Sequence, residues 1–154
     1  MEAFEEGKEY PFTVGNTVTL PDNEYVIIEY GDGRKFMIVK KHYGSIYNLR
    51  PGNKIICRVD KINCNGQIFF EPLHPYFRPG VKAVFEITGA TTRKFKKTDG
   101  VYGVLICKGS KDEPAIIKET DAANIMEFSP GDKVNAVIKK VSKGIAHLTE
   151  VTRV

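Results

Sequence analysis

The sequence predicts an all-β protein built from two tandem copies of one five-stranded unit. The first observation is self-similarity, because "LRPGNKIICRVDKINCNGQIFFE", from Leu49, aligns with "FSPGDKVNAVIKKVSKGIAHLTE", from Phe128. The second is the alternation of apolar and polar residues in short runs that are bounded by Gly and Pro turns, a pattern typical of strands. Together they predict five strands in each half of the chain.

Each copy supplies its strands in the same order. The first strand follows a glycine and is rich in β-branched and aromatic residues, in "GKEYPFTVGNTVTL" and in "GVKAVFEITGATT". A hairpin gives the second and third strands, in "EYVIIEYGDGRKFMIVKK" and in "VYGVLICKGSKDEPAIIKE". Pro-Gly turns at 51–52 and 130–131 begin the fourth strand, and turns at Gly66 and Gly144 lead into the fifth.

A short non-strand piece separates the third and fourth strands, "HYGSIYN" in the first copy and "DAANIMEF" in the second, where Asp121 can cap one or two helical turns. Five strands with a short helical insert at this place follow the order of the OB-fold, a partly open Greek-key barrel. SH3-like barrels and an irregular sandwich are the alternatives, and the position of the insert disfavours both. The proline-rich "EPLHPYFRPG" marks the boundary, so we predict one barrel over residues 1–75 and a second over 76–154.

Charge is distributed unevenly along the chain. Residues 79–154 carry thirteen Lys and Arg against nine Asp and Glu, so the whole net charge of +4 lies in that half, which favours a polyanionic partner for it. The acidic N-terminus and the lack of a long apolar run predict a cytoplasmic protein with no membrane partner. Three cysteines without a CxxC motif and three scattered histidines predict neither disulfides nor a metal site, and no cofactor is expected.

The candidate binding segment is "TTRKFKKTDGVYGVLICK", Thr91 to Lys108, which places cations beside aromatic residues. Cations at the edge of a groove suit phosphates, and an interleaved phenylalanine can stack on a base. We expect the cluster to occupy the loop between the first two strands of the second unit, a loop that OB-folds use for ligands. A solvated hairpin loop kept soluble by lysine is the alternative. The candidates here are Arg93, Lys94, Phe95, Lys96, Lys97 and Lys108.

The second unit resembles the RNA-binding domain first described in ribosomal protein S-one, through "PGVKAVFEITGATT", "YGVLI", "SPGDKVNAVIKKV" and "KGIAHLT". The first unit is similar to a more distant member of that family. The resemblance implies an RNA-binding OB-fold in which the first aromatic of the second strand, Tyr102 here and Tyr25 in the first unit, stacks on a base. The second aromatic of the family is aliphatic in both copies. Near the family's third-strand histidine, this chain offers Lys118 and Lys40.

No nucleophile elbow, phosphate loop or metalloenzyme motif occurs in the sequence, so we expect a binding protein rather than an enzyme. The expected function is non-catalytic binding of RNA or single-stranded nucleic acid through the second barrel. One alternative is a protein-interaction adaptor that retains only the barrel shape, which the weak net charge and the missing second aromatic favour. Another is that the chain is a segment of a larger nucleic-acid-processing protein.

Overall fold

A computed structural model describes every residue of the chain, Met1–Val154, and divides it into two compact units, Met1–Pro75 and Tyr76–Val154. The division falls inside the proline-rich connector. Both units consist of β-strands joined by turns and short loops, as the alternating sequence pattern predicts. No helix in the structure has the length and apolar character that a membrane crossing requires.

The first unit is a five-stranded antiparallel sheet in the order β3-β2-β1-β4-β5. Every second residue of its strands points into an apolar core, which explains the alternation seen in the sequence. Its strands are β1 (Glu9–Thr19), β2 (Glu24–Glu29), β3 (Lys35–Val39), β4 (Lys54–Ile62) and β5 (Ile68–Pro72).

The second unit is a closed barrel in the order β10-β8-β7-β6-β9, in which β10 also pairs with β9. Parallel pairing between β8 and β10 closes the barrel, and all its other strand pairs are antiparallel. Its strands are β6 (Lys82–Lys94), β7 (Val101–Lys108), β8 (Pro114–Lys118), β9 (Lys133–Ser142) and β10 (Ile145–Arg153).

Side-chain size at the seam explains why only the second unit closes. There β8 and β10 meet at Ala115 and Ala146, which are both buried and small enough to let the two backbones approach. On β3 of the first unit, Phe36 takes the place of Ala115, and its ring lies 4.8 Å from that of Phe70 on β5. Aromatic packing therefore replaces strand pairing, and of the two predicted barrels only the second is closed.

Glycine turns show that both units use the same backbone frame. Gly52 and Gly131 precede the fourth strand of each unit with φ of 91° and 94°, a left-handed conformation that glycine adopts without strain. Each donates its N–H to a first-strand carbonyl at 2.8 Å, that of Val14 in one unit and Ile87 in the other. The N–H groups of Val14 and Ile87 return a bond of 2.8 Å to the residue after the glycine. The sequence repeat is therefore a structural repeat.

The predicted helical insert is wrong in its details. It contains only single 3-10 turns, at Lys40–His42 and Ser45–Tyr47 in the first unit and at Ile125–Glu127 in the second. Asp121 does not cap the last of these turns, since the N-cap position is Asn124 and its side chain makes no capping bond. The Asp121 carboxylate instead accepts a hydrogen bond from Lys139 Nζ at 2.7 Å.

The N-terminal segment packs into the first unit through Phe4, which is only 7% exposed. Its ring contacts those of Tyr10 at 4.8 Å, Tyr30 at 5.0 Å and Phe70 at 5.2 Å, measured between centroids. The Arg34 guanidinium covers the ring at 4.3 Å from its centroid. Phe4 is therefore a core residue of the open sheet, despite its position near the chain end.

Candidate nucleic-acid interface

The hairpin between β6 and β7 is longer than the sequence indicated. Arg93 and Lys94, predicted to lie in the loop, are strand residues that pair with Tyr102 and Val101. That placement was wrong because the threonine-rich end of β6, which has high β propensity, continues the ladder. The loop itself holds Lys96 and Lys97, both exposed, and the Phe95 N–H closes it by donating to the Gly100 carbonyl at 3.0 Å.

Because side chains alternate along a β-strand, Arg93 and Lys94 lie on opposite faces of β6. Leu105 and Cys107 point into the barrel core, so Tyr102, three residues before Leu105, points outward. Arg93 is the direct partner of Tyr102 and shares its outer face. Lys94 is the next residue along β6 and therefore points to the opposite side. Only Arg93 of this adjacent pair lies beside the tyrosine ring.

A second aromatic ring reaches Tyr102 from the loop. The Phe95 and Tyr102 centroids are 4.9 Å apart with 48° between the ring planes, and Phe95 remains 41% exposed. Gly100 makes room for this arrangement, because a Cβ there would lie 3.3 Å from Cδ2 of Phe95. Leu105, at the second aromatic position of the family, is buried in the core. The outer face thus has two rings, but the second one comes from the loop.

Gly103, next to Tyr102 on β7, faces the interior of the barrel. A Cβ at this glycine would point inward and lie 3.2 Å from Cδ1 of Ile125, the buried residue of the 3-10 turn. The Gly103 N–H donates to Glu119 Oε1 at 2.9 Å. The missing side chain therefore allows close packing inside the barrel rather than the approach of a ligand.

Lys118 ends β8 and pairs with Val104 of β7, two residues along the strand from Tyr102 and on the same face. Burial of its stem lowers the pKa of Lys118, and the charges of Lys140 and Arg93 lower it further. The positive charges of Lys140 and Arg93 therefore both reach Lys118. The structure therefore brings Arg93, Phe95, Tyr102 and Lys118 together on one face.

Two residues of this face, Lys140 and His147, were missed by the sequence analysis. They pair directly across β9 and β10. His147 is 8% exposed, and its Nδ1 atom has no hydrogen-bond partner. Its place between the core residues Ala146 and Leu148 could have predicted an outward imidazole. A strand irregularity that turns Lys140 outward left no signal in the sequence.

The remaining candidates lie apart from this face. Lys108 is at the far end of β7 from Tyr102, with its ammonium 3.7 Å from Asp112. In the first unit the Tyr25 hydroxyl donates to Asp22, and Lys40 lies in a 3-10 turn with Nζ 3.4 Å from Glu24. Both first-unit candidates therefore have carboxylates as neighbours, which oppose the binding of a phosphate.

Strand register also shows that Tyr25 is not the counterpart of Tyr102. Ile28 pairs with Val14, and Cys107 pairs with Ile87, the residues that the glycine turns match. Tyr25 stands three residues before Ile28 and therefore takes the place of Val104. The sequence alignment of the two tyrosines is displaced by two residues.

No known protein family matches this chain in a scan of family profiles, and no curated protein sequence matches it either. No group of three or more His, Cys, Asp or Glu side chains is arranged to hold a metal ion.

Proposed function

We propose that this chain is a non-catalytic nucleic-acid-binding protein whose second unit binds RNA or single-stranded nucleic acid. The observation that carries the proposal is the pair of rings, Phe95 and Tyr102, lying beside Arg93 and Lys118 on one outer face. Exposed rings offer stacking faces to unpaired bases, and the neighbouring cations attract the phosphates that link those bases. Neither feature alone would distinguish a nucleic acid from another anion or another aromatic ligand.

The strand connections of the second unit support the OB-fold. Strands β6, β7 and β8 form a meander, β9 returns to pair with β6, and β10 closes the barrel in parallel with β8. Proteins with this fold bind oligonucleotides on the face of the second and third strands and on the loop between the first and second. Those elements are β7, β8 and the loop that carries Lys96 and Lys97.

Single strands suit this face better than a duplex. A base can stack on Tyr102 only when its own face is free, which occurs in loops and single strands. The loop lysines, Lys96 and Lys97, are both exposed and have long side chains that can follow a flexible nucleic-acid backbone. The resemblance of this unit to S-one-type RNA-binding domains further favours RNA.

The test is a titration of the full chain with labelled single-stranded RNA, single-stranded DNA and duplex of the same sequence, followed by fluorescence anisotropy at low and high salt. Tyr102→Ala should weaken single-strand binding by about 5- to 150-fold, equivalent to about 1–3 kcal/mol of stacking, with the salt slope unchanged. Tyr25→Ala is the matched control, because it removes an outward strand tyrosine from the first unit, and it should bind as the parent does.

Two results would refute the proposal. Equal affinity for duplex and single strands would show that the rings do not contact bases. No binding of any nucleic acid at low salt would show that the cations do not form a phosphate site, and it would favour the adaptor function instead.

A further inference from the structure

The outer side of the barrel seam carries a second group of charged residues, next to the proposed stacking face. His147 lies on β10 opposite Lys140 of β9 and Ile116 of β8. The register shift opposite His147 places two residues of β9, Lys139 and Lys140, in the span of one step on β10. Because Ile138 and Val141 both belong to the core, this bulge turns Lys140 to the outside.

The charges around His147 come from four separate segments. Lys118 on β8, Lys140 on β9 and Arg93 on β6 all lower the pKa of the imidazole, and the Asp121 carboxylate, after β8, raises it. That carboxylate is already paired, since it lies 2.7 Å from Lys139 Nζ. Three cations therefore act on the imidazole against one carboxylate, which is shared with Lys139.

His147 is poorly satisfied in this environment. Its side chain is nine-tenths buried and its Nδ1 atom makes no hydrogen bond, an arrangement that is unfavourable for a buried polar atom. Burial lowers the pKa of His147 to about 4, with further lowering by Lys118 and Lys140. The imidazole is therefore neutral at neutral pH, and an anion beside it would reverse the repulsion that keeps it so.

We infer that Arg93, Lys118, Lys140 and His147 form a site for one phosphodiester group of the bound strand, and that His147 gains a proton when this phosphate binds. The inference rests on the proposed function and deepens it, because it places one phosphate beside the β8–β10 pairing and adds Lys140 and His147 to the binding face. The negative phosphate offsets the three cations, and the protonated imidazole then adds a fourth positive charge to the site.

The pH dependence follows from the direction of this change. In the free protein His147 takes up a proton only near pH 4, whereas in the complex it does so at a higher pH. Between these two values binding includes the uptake of a proton, so affinity rises as the pH falls, by up to about tenfold per pH unit. Above the pKa of the complex, binding takes up no proton at His147, so affinity should no longer change with pH through this residue.

The experiment measures the affinity of the full chain for a labelled oligouridylate about 12 nucleotides long, from about pH 8 to about pH 5 at constant ionic strength. Uracil is chosen because it takes up no proton over this range. Acidification should tighten binding by the parent about 3- to 10-fold, while His147→Gln should lack most of this rise. Thermal melting at each pH confirms that each variant is folded.

Lys140 is tested by a matched pair of lysines. Lys140→Ala should lower the logarithmic salt slope by about 0.7, the value of one phosphate contact on a single strand. Lys82→Ala removes an exposed lysine from the start of β6, away from the face, and should leave the slope unchanged. Equal effects of the two substitutions would show that Lys140 acts only through net charge and would overturn its place in the site.

The imidazole resonances of His147 give a direct readout, since a purely structural role would not move them on binding. Their titration should shift to higher pH when oligouridylate is added. An unchanged His147 titration in a chain that binds, or a pH dependence as steep in His147→Gln as in the parent, overturns this inference alone. Absence of binding at low salt throughout the pH range overturns the proposed function together with it.

Discussion

The adjacent residues Arg93 and Lys94 allow a sharp test of how the second unit meets a phosphate backbone. Both are exposed cations at the end of β6, but Arg93 pairs with Tyr102 and shares its face, whereas Lys94 points to the other side. Removal of one phosphate contact should lower the logarithmic salt slope by about 0.7 and weaken binding about fivefold at ~0.1 M salt. We therefore expect Arg93→Ala to show this loss and Lys94→Ala to bind within about twofold of the parent.

The assay is the anisotropy titration with single-stranded RNA, repeated over a series of salt concentrations for both variants. The two substitutions remove the same formal charge from neighbouring positions, so a difference between them cannot arise from net charge. If Lys94→Ala lost as much affinity and salt slope as Arg93→Ala, the conclusion that the phosphate backbone contacts only the face with Arg93 and Tyr102 would be refuted. Such a result would mean that the nucleic acid contacts both sides of the β6–β7 hairpin or that binding is non-specific.

The remaining predictions concern stability and pH. Phe4→Ala should destabilise the first unit by about 3–5 kcal/mol in chemical denaturation, because it empties a buried aromatic site, whereas Phe95→Ala, which removes a half-exposed ring, should cost far less. Gly52→Ala and Gly131→Ala should each lower the free energy of unfolding by about 1–2 kcal/mol, because both glycines have a left-handed φ. A loss at only one of them would contradict the conclusion that the two units share this turn conformation. His147 has a lowered folded pKa, so its neutral form stabilises the second unit above about pH 6.5. The stability that neutral His147 contributes should decline as the pH falls from about 6.5 to about 4. In His147→Gln, the melting temperature should therefore fall less over this pH range than in the parent.

The parts of the fold that the sequence predicts are those governed by local rules. Alternation of apolar residues placed the strands, and Pro-Gly pairs placed the turns that begin the fourth strands, because left-handed backbone there requires glycine. The open seam of the first unit was not predictable in this way. It depends on the contact between Phe36 and Phe70, which lie on two β-strands that are distant in sequence. The alternation of residues within one β-strand contains no information about such a contact.

The candidate face was predicted in its residue types but less well in its geometry. The cluster of cations and aromatics around Phe95 is visible in the sequence, whereas the division of Arg93 from Lys94 follows from strand register. His147 was passed over because an isolated histidine has no ligand spacing. Its proposed role depends on Lys118 and Lys140, which the barrel closure and the β9 bulge bring beside it.

The first unit has the same backbone turns as the second, but it lacks most of the charged residues that form the candidate binding face of the second unit. The positions that match Arg93, Tyr102, Lys118 and His147 hold Leu20, Asn23, Val39 and Phe69, while a lysine, Lys61, remains opposite the last of these. Phe69 is 42% exposed and apolar, so it can neither take up a proton nor neutralise a phosphate. We therefore expect Phe69→Ala to leave RNA affinity, salt slope and pH dependence as in the parent. A loss of affinity as large as that of Tyr102→Ala would show that the strand also crosses the first unit, and the assignment of binding to the second unit alone would then be wrong.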